Sequence, residues 1–282
     1  MTTIKISNGS FELSVEQDDF SPPWIPDKTP LLLQHGFGRV AEVWTTWVPH
    51  VSEFYPVLRP TLRGLRSKPA GFKPSDLSLD SYLSDLCRIL DELAIEKVHF
   101  CGESFGGSLG IAFASRHPDR VKTLSVIASP VFLNRQWHEN YSMGHGSWSN
   151  AMRTMGVHAW LDETNRSTRF PKGTGSAIVD WYKSLVEGAD EEVLLAMAEL
   201  IETSDMRPFL GGIEAPTLLL APEGGGIITE EQLSAYRAGV KDLKVLLFRT
   251  DFHKIQLLKA AQCAQHVVQF CSLIDGRALT DF

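Results

Sequence analysis

The sequence predicts an α/β protein: a mostly parallel central sheet with helices on both faces, carrying one helical insertion. Short apolar runs at 31–33, 98–101, 124–128, 216–221 and 244–248 alternate with helix-length segments, the order that strand–helix–strand crossovers produce. The alternation stops after Pro130, and 131–212 is rich in Trp, Met, Gly and Asn with helical patterns but no strand pattern. The expected division is a core of 1–130 and 213–282 with a helical cap of 131–212.

Taken in order, 4–7 and 11–17 alternate polar and apolar residues around Asn8-Gly9, as a β-hairpin does. Ser21-Pro22-Pro23-Trp24-Ile25-Pro26 is a stiff lead into 31–33, a run apolar on both faces and so a buried strand. Residues 40–53 read as a helix broken at Pro49, and 55–59 as a strand. Over 79–93, Tyr82, Leu83, Leu86, Ile89, Leu90 and Leu93 share one face of an amphipathic helix. A strand at 98–101, a small-residue helix at 107–114 and a strand at 124–128 follow. Within the cap, Asp190 should cap a helix over 190–202 with Val193, Ala196, Met197, Leu200 and Ile201 on its apolar face. The core resumes with a strand at 216–221, a helix at 230–238, a strand at 244–248 and a last helix over 254–273.

A chain of 282 residues, 43% hydrophobic and 22% charged, has the composition of a globular protein with a sizeable core. Its net charge of −7 and pI near 5.7 speak against nucleic acid or an anionic membrane as partner; a small-molecule substrate is expected instead. No apolar stretch approaches the length of a membrane span. The first residues run directly into a strand without the regions of a secretion signal, so a cytoplasmic location is expected. Cys87, Cys101, Cys263 and Cys271 show no C-x-x-C spacing and imply no disulfide framework.

Gly102-Glu103-Ser104-Phe105-Gly106 is the most informative stretch. At a sharp strand-to-helix turn the central residue is strained, and flanking glycines let neighbouring backbone pack closely. Ser104 would stand clear of the sheet, faced by the N-terminal N–H groups of the next helix, which marks it as a nucleophile. A serine nucleophile needs a histidine base and a site for the oxyanion. Among nine histidines, His253 lies just past the last strand, at the carboxyl edge of the sheet to which Ser104 also belongs. His35, at the end of another strand, should brace a loop. In His35-Gly36-Phe37-Gly38 the glycines let a backbone N–H turn toward the nucleophile, so the expected oxyanion donors are the N–H groups of Phe37 and Phe105.

These motifs, in this order, resemble the α/β-hydrolase superfamily. The resemblance rests on His35-Gly36-Phe37-Gly38, the elbow at 102–106, Arg116-His117-Pro118-Asp119-Arg120-Val121, the cap, Ala215-Pro216-Thr217-Leu218-Leu219-Leu220 and the late His253. It covers nearly the whole chain and implies a serine hydrolase with no metal, nucleotide or flavin. A serine at position 104 sets the chain apart from the subgroups with an aspartate nucleophile. Two positions depart from the family pattern. Gly225 stands where an aspartate shortly before Ile227-Ile228 is usual, and Thr61 replaces a loop aspartate in a stretch, 59–67, that is one residue short. The group that orients His253 is then either Glu223, at the end of the 216–221 strand, or another acid or a water.

The expected activity is hydrolysis of a carboxylic ester or lactone of a small, partly apolar molecule through an acyl-enzyme on Ser104, with His253 as base. One alternative is a C–C bond hydrolase acting on a ring-fission product. It would want a cap arginine for a substrate carboxylate, from among Arg135, Arg153, Arg166 and Arg169. Another is a ligand receptor on the same scaffold with a decayed triad. Trp137, Trp148, Trp160, Trp181 and Tyr182 either line an apolar pocket or pack the cap itself.

Overall fold

The computed structural model describes residues 2–25, 28–223, 227–250 and 252–277. The strands are β1 (Thr2–Asn8), β2 (Phe11–Asp18), β3 (Leu31–Gln34), β4 (Val57–Thr61), β5 (Val98–Glu103), β6 (Val121–Ile127), β7 (Thr217–Pro222) and β8 (Leu243–Phe248). They form one sheet in the order β1-β2-β4-β3-β5-β6-β7-β8. β2 pairs antiparallel with β1 and β4, and every other pairing is parallel. Burial explains the composition. β3, β4, β5 and β7 are buried at every position, and β3 and most of β7 read as apolar runs, whereas the edge strands β1 and β8 are partly exposed.

The order reverses at β3, which has β4 on one side and β5 on the other, and such a reversal opens a crevice at the carboxyl ends of the strands. Gln34 of β3 pairs with Gly102 of β5, so the chain leaves the sheet side by side at 35–37 and 103–105. Two glycines permit this approach. A Cβ on Gly106 would stand 2.3 Å from the Gln34 carbonyl oxygen, and one on Gly102 would stand 2.3 Å from that of Gly106.

Several elements differ in extent from the sequence reading. The segment 40–53 is a turn of 3-10 helix at Ala41–Trp44 followed by a short helix, Val48–Val51. Pro49 lies in the first turn of the latter, where its missing N–H costs nothing, so it opens a helix instead of breaking one. β4 starts two residues later than 55–59, because Tyr55 still closes the turn, its N–H donating to the Val51 carbonyl at 3.0 Å, and Pro56 has no N–H to give the ladder. The last helix is split at Lys259 into Ile255–Leu258 and Ala260–Ile274. The helix after the elbow is longer than expected, Phe105–Arg116.

Between β6 and β7 the main elements are the helices Arg135–Ser142, Trp148–Met155, Val157–Thr164, Ser176–Ser184 and Glu191–Thr203. Asp190 caps the last of these by accepting from the Glu192 N–H. The insertion is closed at its base: Met206 N–H donates to the Val131 carbonyl at 2.6 Å, beside a bridge between Phe132 and Asp205. No described helix is long and apolar enough to cross a membrane.

Under the opposite end of the sheet, His99 of β5 lies 3.3 Å from Asp275, which also pairs with Lys122 at 2.7 Å and accepts from the Tyr55 hydroxyl at 2.9 Å. Burial disfavours the imidazolium, but Cys271 and Asp275 outweigh it and raise the His99 pKa to about 9 from 6.5. A histidine raised in the folded state stabilises the fold fully below pH 6.5, and that contribution is lost as pH rises through about 9. Thermal unfolding of the wild type and of His99→Gln should therefore diverge in pH dependence between pH 6.5 and 9, the wild type losing more stability over that window. Parallel curves would show that His99 is not charged in the folded protein.

Candidate active site

Ser104 joins β5 to the helix Phe105–Arg116 with φ 54 and ψ −123, a conformation costly for any residue with a side chain. Backbone contacts on both sides hold it there. Its N–H donates to the Ile127 carbonyl at 2.9 Å, and its carbonyl accepts from Ser129 Oγ at 2.6 Å and from the N–H groups of Gly107 and Ser108. The side chain faces a cavity of about 50 Å³ whose lining includes Phe37, Phe105, His253, Lys254, Arg169 and Tyr182. Four of the five residues singled out in the sequence, Ser104, His253, Phe37 and Phe105, thus meet at one pocket.

The loop 35–38 is braced as expected of His35. Its Nε2 accepts from the Leu62 N–H at 3.1 Å and its Nδ1 pairs with the Gly36 carbonyl at 2.8 Å, which requires the neutral Nδ1–H tautomer. Burial lowers its pKa to about 4 and keeps it in that form. Among the described residues, neither the Phe37 nor the Phe105 N–H is used in a backbone hydrogen bond outside regular helices and strands.

The structure does not bring Glu223 to His253. The Glu223 side chain is exposed at the end of β7, while its backbone N–H donates to the Phe248 carbonyl at 2.7 Å. The Gly225 position, with its neighbours 224 and 226, lies outside the described residues. The carboxylate beside the imidazole is instead Glu103, the residue preceding the serine: Oε1 lies 3.3 Å from His253 Nε2 and 2.5 Å from Lys254 Nζ. Glu103 is 1% exposed, and His253 and Lys254 are 4% exposed, so this is a buried charge cluster. His253 Nδ1 is also buried, with no hydrogen-bond partner among the described residues.

The sequence held a signal for this pair. An acid, Glu103, closes a buried strand, and a lysine, Lys254, follows the histidine read as the base. Charges in apolar settings are rarely buried without a partner. Neither residue signals this alone; contact across 151 positions of sequence makes the pair.

The pocket wall is aromatic. Trp137 stacks on Tyr141 with ring centroids 4.8 Å apart, Tyr141 stacks on Trp148 at 4.5 Å, and Trp137 lies 5.7 Å from the His253 ring. Trp137, Trp148 and Tyr182 line the cavity, whereas Trp160 is fully buried behind Phe37 and Tyr141. Among the described residues, no three His, Cys, Asp or Glu side chains converge as a metal ion would need.

Comparison with known proteins agrees with this fold. A family model described as alpha/beta hydrolase fold matches residues 29–158. A strigolactone esterase of Arabidopsis thaliana is 26% identical over 83% of this chain and 89% of its own length. A 2-hydroxy-6-oxo-2,4-heptadienoate hydrolase of Pseudomonas putida is 33% identical over 36% of this chain, a match that spans only 37% of that protein. Among solved structures, the enol-lactonase of Burkholderia xenovorans superposes with a TM-score of 0.82 at 21% identity, covering 95% of this chain and 100% of that one. An esterase of Exiguobacterium antarcticum gives 0.81 at 17% identity, covering 96% and 99%. The chain has the alpha/beta hydrolase fold.

Burial, reinforced by Lys254 and Arg169, holds the His253 pKa well below 6.5, so the imidazole is neutral at neutral pH. Lys254→Met would remove the nearest cation and leave the Glu103 carboxylate facing the ring. The midpoint of the His253 ring-proton titration, followed by NMR, should then rise by about one pH unit or more. An unchanged midpoint would show that Lys254 does not set this charge state.

Proposed function

We propose that the protein is a serine hydrolase that cleaves a carboxylic ester or lactone of a small, partly apolar molecule through an acyl-enzyme. The observation that carries this reading is the strained Ser104 turn, held open to a pocket that also contains a neutral buried histidine. Relatives and structural neighbours named as esterases and a lactonase support it. The helices of 131–212 act as a cap over the serine, supplying the pocket's aromatic wall.

In this mechanism Ser104 Oγ bonds to the acyl carbon as His253 takes the hydroxyl proton. The N–H groups of Phe37 and Phe105 receive the developing oxyanion. Collapse breaks the bond to the leaving oxygen, which takes the proton from His253. Water, deprotonated by the same ring, then releases the acid and restores the serine. Glu103 assumes the role expected of Glu223. A proton held on Nε2 beside Glu103 leaves the Nδ1 lone pair free, and the carboxylate stabilises the imidazolium that forms. Hydrolysis of a C–C bond is the second reading, favoured by the presence of Arg169 in the pocket wall.

An active-site fluorophosphonate should label wild-type protein but not Ser104→Ala, read by intact mass. Absence of labelling in folded wild-type protein would favour a receptor on a hydrolase scaffold. Ser104→Ala and His253→Ala should each lower ester turnover by roughly 10³ or more, and the double variant should lose little beyond either. Multiplying losses would separate the two residues into independent roles.

Glu103→Gln leaves Lys254 buried without its partner and should destabilise the fold by roughly 3–5 kcal/mol. Combining it with Lys254→Met removes both charges. The double variant should recover much of the stability measured by urea unfolding while turnover stays roughly 10² or more below wild type. Recovery of activity along with stability would reduce Glu103 to a structural partner of Lys254.

A further inference from the structure

Four cap arginines are candidates for a substrate anion, and the structure separates them. Arg135, Arg153 and Arg166 are exposed and paired with Glu139 at 2.7 Å, Glu199 at 2.7 Å and Glu163 at 3.2 Å. Arg169 is 5% exposed, lines the Ser104 pocket and has no carboxylate partner among the described residues. It ends a π-helical turn, Asn165–Arg169, a local widening of the helix that is common at functional sites. The turn sets the guanidinium carbon 5.3 Å from the Tyr141 ring and 5.5 Å from the Trp160 ring. Its Nη1 donates to two neutral acceptors, Thr164 Oγ1 and Asn165 Oδ1.

Two further cations pack against Tyr182, which lines the same pocket. Arg39 is 1% exposed, packs its guanidinium 3.8 Å over the Tyr182 ring, and leaves Nε and Nη2 without partners. Lys254 Nζ lies 5.5 Å from the same ring and pairs with Glu103. Three buried cations and one buried carboxylate, Glu103, therefore surround Tyr182. Burying charge without a counter-charge costs several kcal/mol per ion, a cost an entering anion offsets. The imbalance lies beside the proposed nucleophile, in the cavity lined by Ser104, Arg169 and Lys254.

We propose that this pocket recognises an anionic substrate: an ester or lactone bearing a carboxylate that seats on Arg169, with Lys254 beside it, while the acyl carbon faces Ser104. The proposal rests on the serine-hydrolase reading for the placement of the acyl group, but the anion site itself does not depend on turnover. Ser104 and Arg169 line the same small cavity, so a short chain should separate the two groups. Half-esters of four- or five-carbon dicarboxylic acids have that form.

Two measurements test this. In Ser104→Ala, glutarate titrated against the fluorescence of the pocket tryptophans should bind about tenfold or more tightly than its neutral diamide. Arg169→Met should abolish that preference, and Arg169→Lys, which keeps the charge but loses the planar fork, should keep part of it. Equal binding of acid and diamide would overturn the proposal, as would a preference that survives Arg169→Met. The Ser104→Ala comparison leaves Arg169 intact, so it decides the matter even if the arginine variants do not fold. Separately, the wild type should favour 4-nitrophenyl hemiglutarate over 4-nitrophenyl pentanoate by about tenfold or more in kcat/KM, and Arg169→Met should erase that ratio. Glutarate binding with neither ester cleaved and no fluorophosphonate labelling would retain the anion site and reject the hydrolase reading. Cleavage of both esters at equal rates, with no glutarate preference, would do the reverse.

Discussion

The close approach of β3 and β5 at their carboxyl ends is the constraint on which the rest of the site depends. Gln34 and Gly102 are register partners, and the chain after each must turn away within a residue or two. Packing there is backbone against backbone, with no room for a Cβ at Gly102 or Gly106. That contact forces Ser104 into positive φ, since the helix after it can start only where the two glycines let it sit. It also sets the loop at 35–38 beside the serine, where His35 ties it to Leu62. The Ser104 turn and the 35–38 loop are thus products of one packing event, and the hydrogen bonds that Ser104 donates to Ile127 and accepts from Ser129 extend that rigidity into β6 and beyond.

Charge is the second organising feature. A chain with a net charge of −7 places Arg169 and Lys254 in the wall of the Ser104 pocket, with Arg39 packed behind it on Tyr182, opposite in sign to the molecule as a whole. Glu103 neutralises part of that cluster and stands next to His253, so one carboxylate serves a lysine and an imidazole together. The arrangement keeps the histidine uncharged, as a general base requires, without removing the carboxylate that an imidazolium would need. The same physics at the far end of the sheet has the opposite outcome. His99 sits against Asp275 and Cys271, which together outweigh its burial, and it is held charged.

The sheet was legible in the sequence because buried strands must be apolar on both faces, and the runs at 31–33, 98–101 and 216–221 are. Boundaries were less so. Pro49 looked like a helix breaker and is a helix starter, since its effect depends on which turn it occupies. Ser104 and His253 could be singled out because chain order and strand ends place them at one sheet edge. Glu223 was reasoned from the same order, but position along a strand end does not say where a side chain points, and this one points to solvent.

What the sequence determined by itself is what local covalent and steric rules decide: the strand–helix alternation, the glycines that permit the elbow, and the residue types able to act as nucleophile, base and oxyanion donor. Tertiary structure alone decided which charges meet. Glu103 and Lys254 are 151 positions apart, and Arg169 differs from Arg166 by one helical turn, yet one is buried in the pocket and the other is exposed. Coulomb energy depends on distance and burial, which a linear pattern does not carry. The partner of a charge, and with it the chemistry of the pocket, is therefore set only when the sheet edge and the helices of 131–212 close on each other.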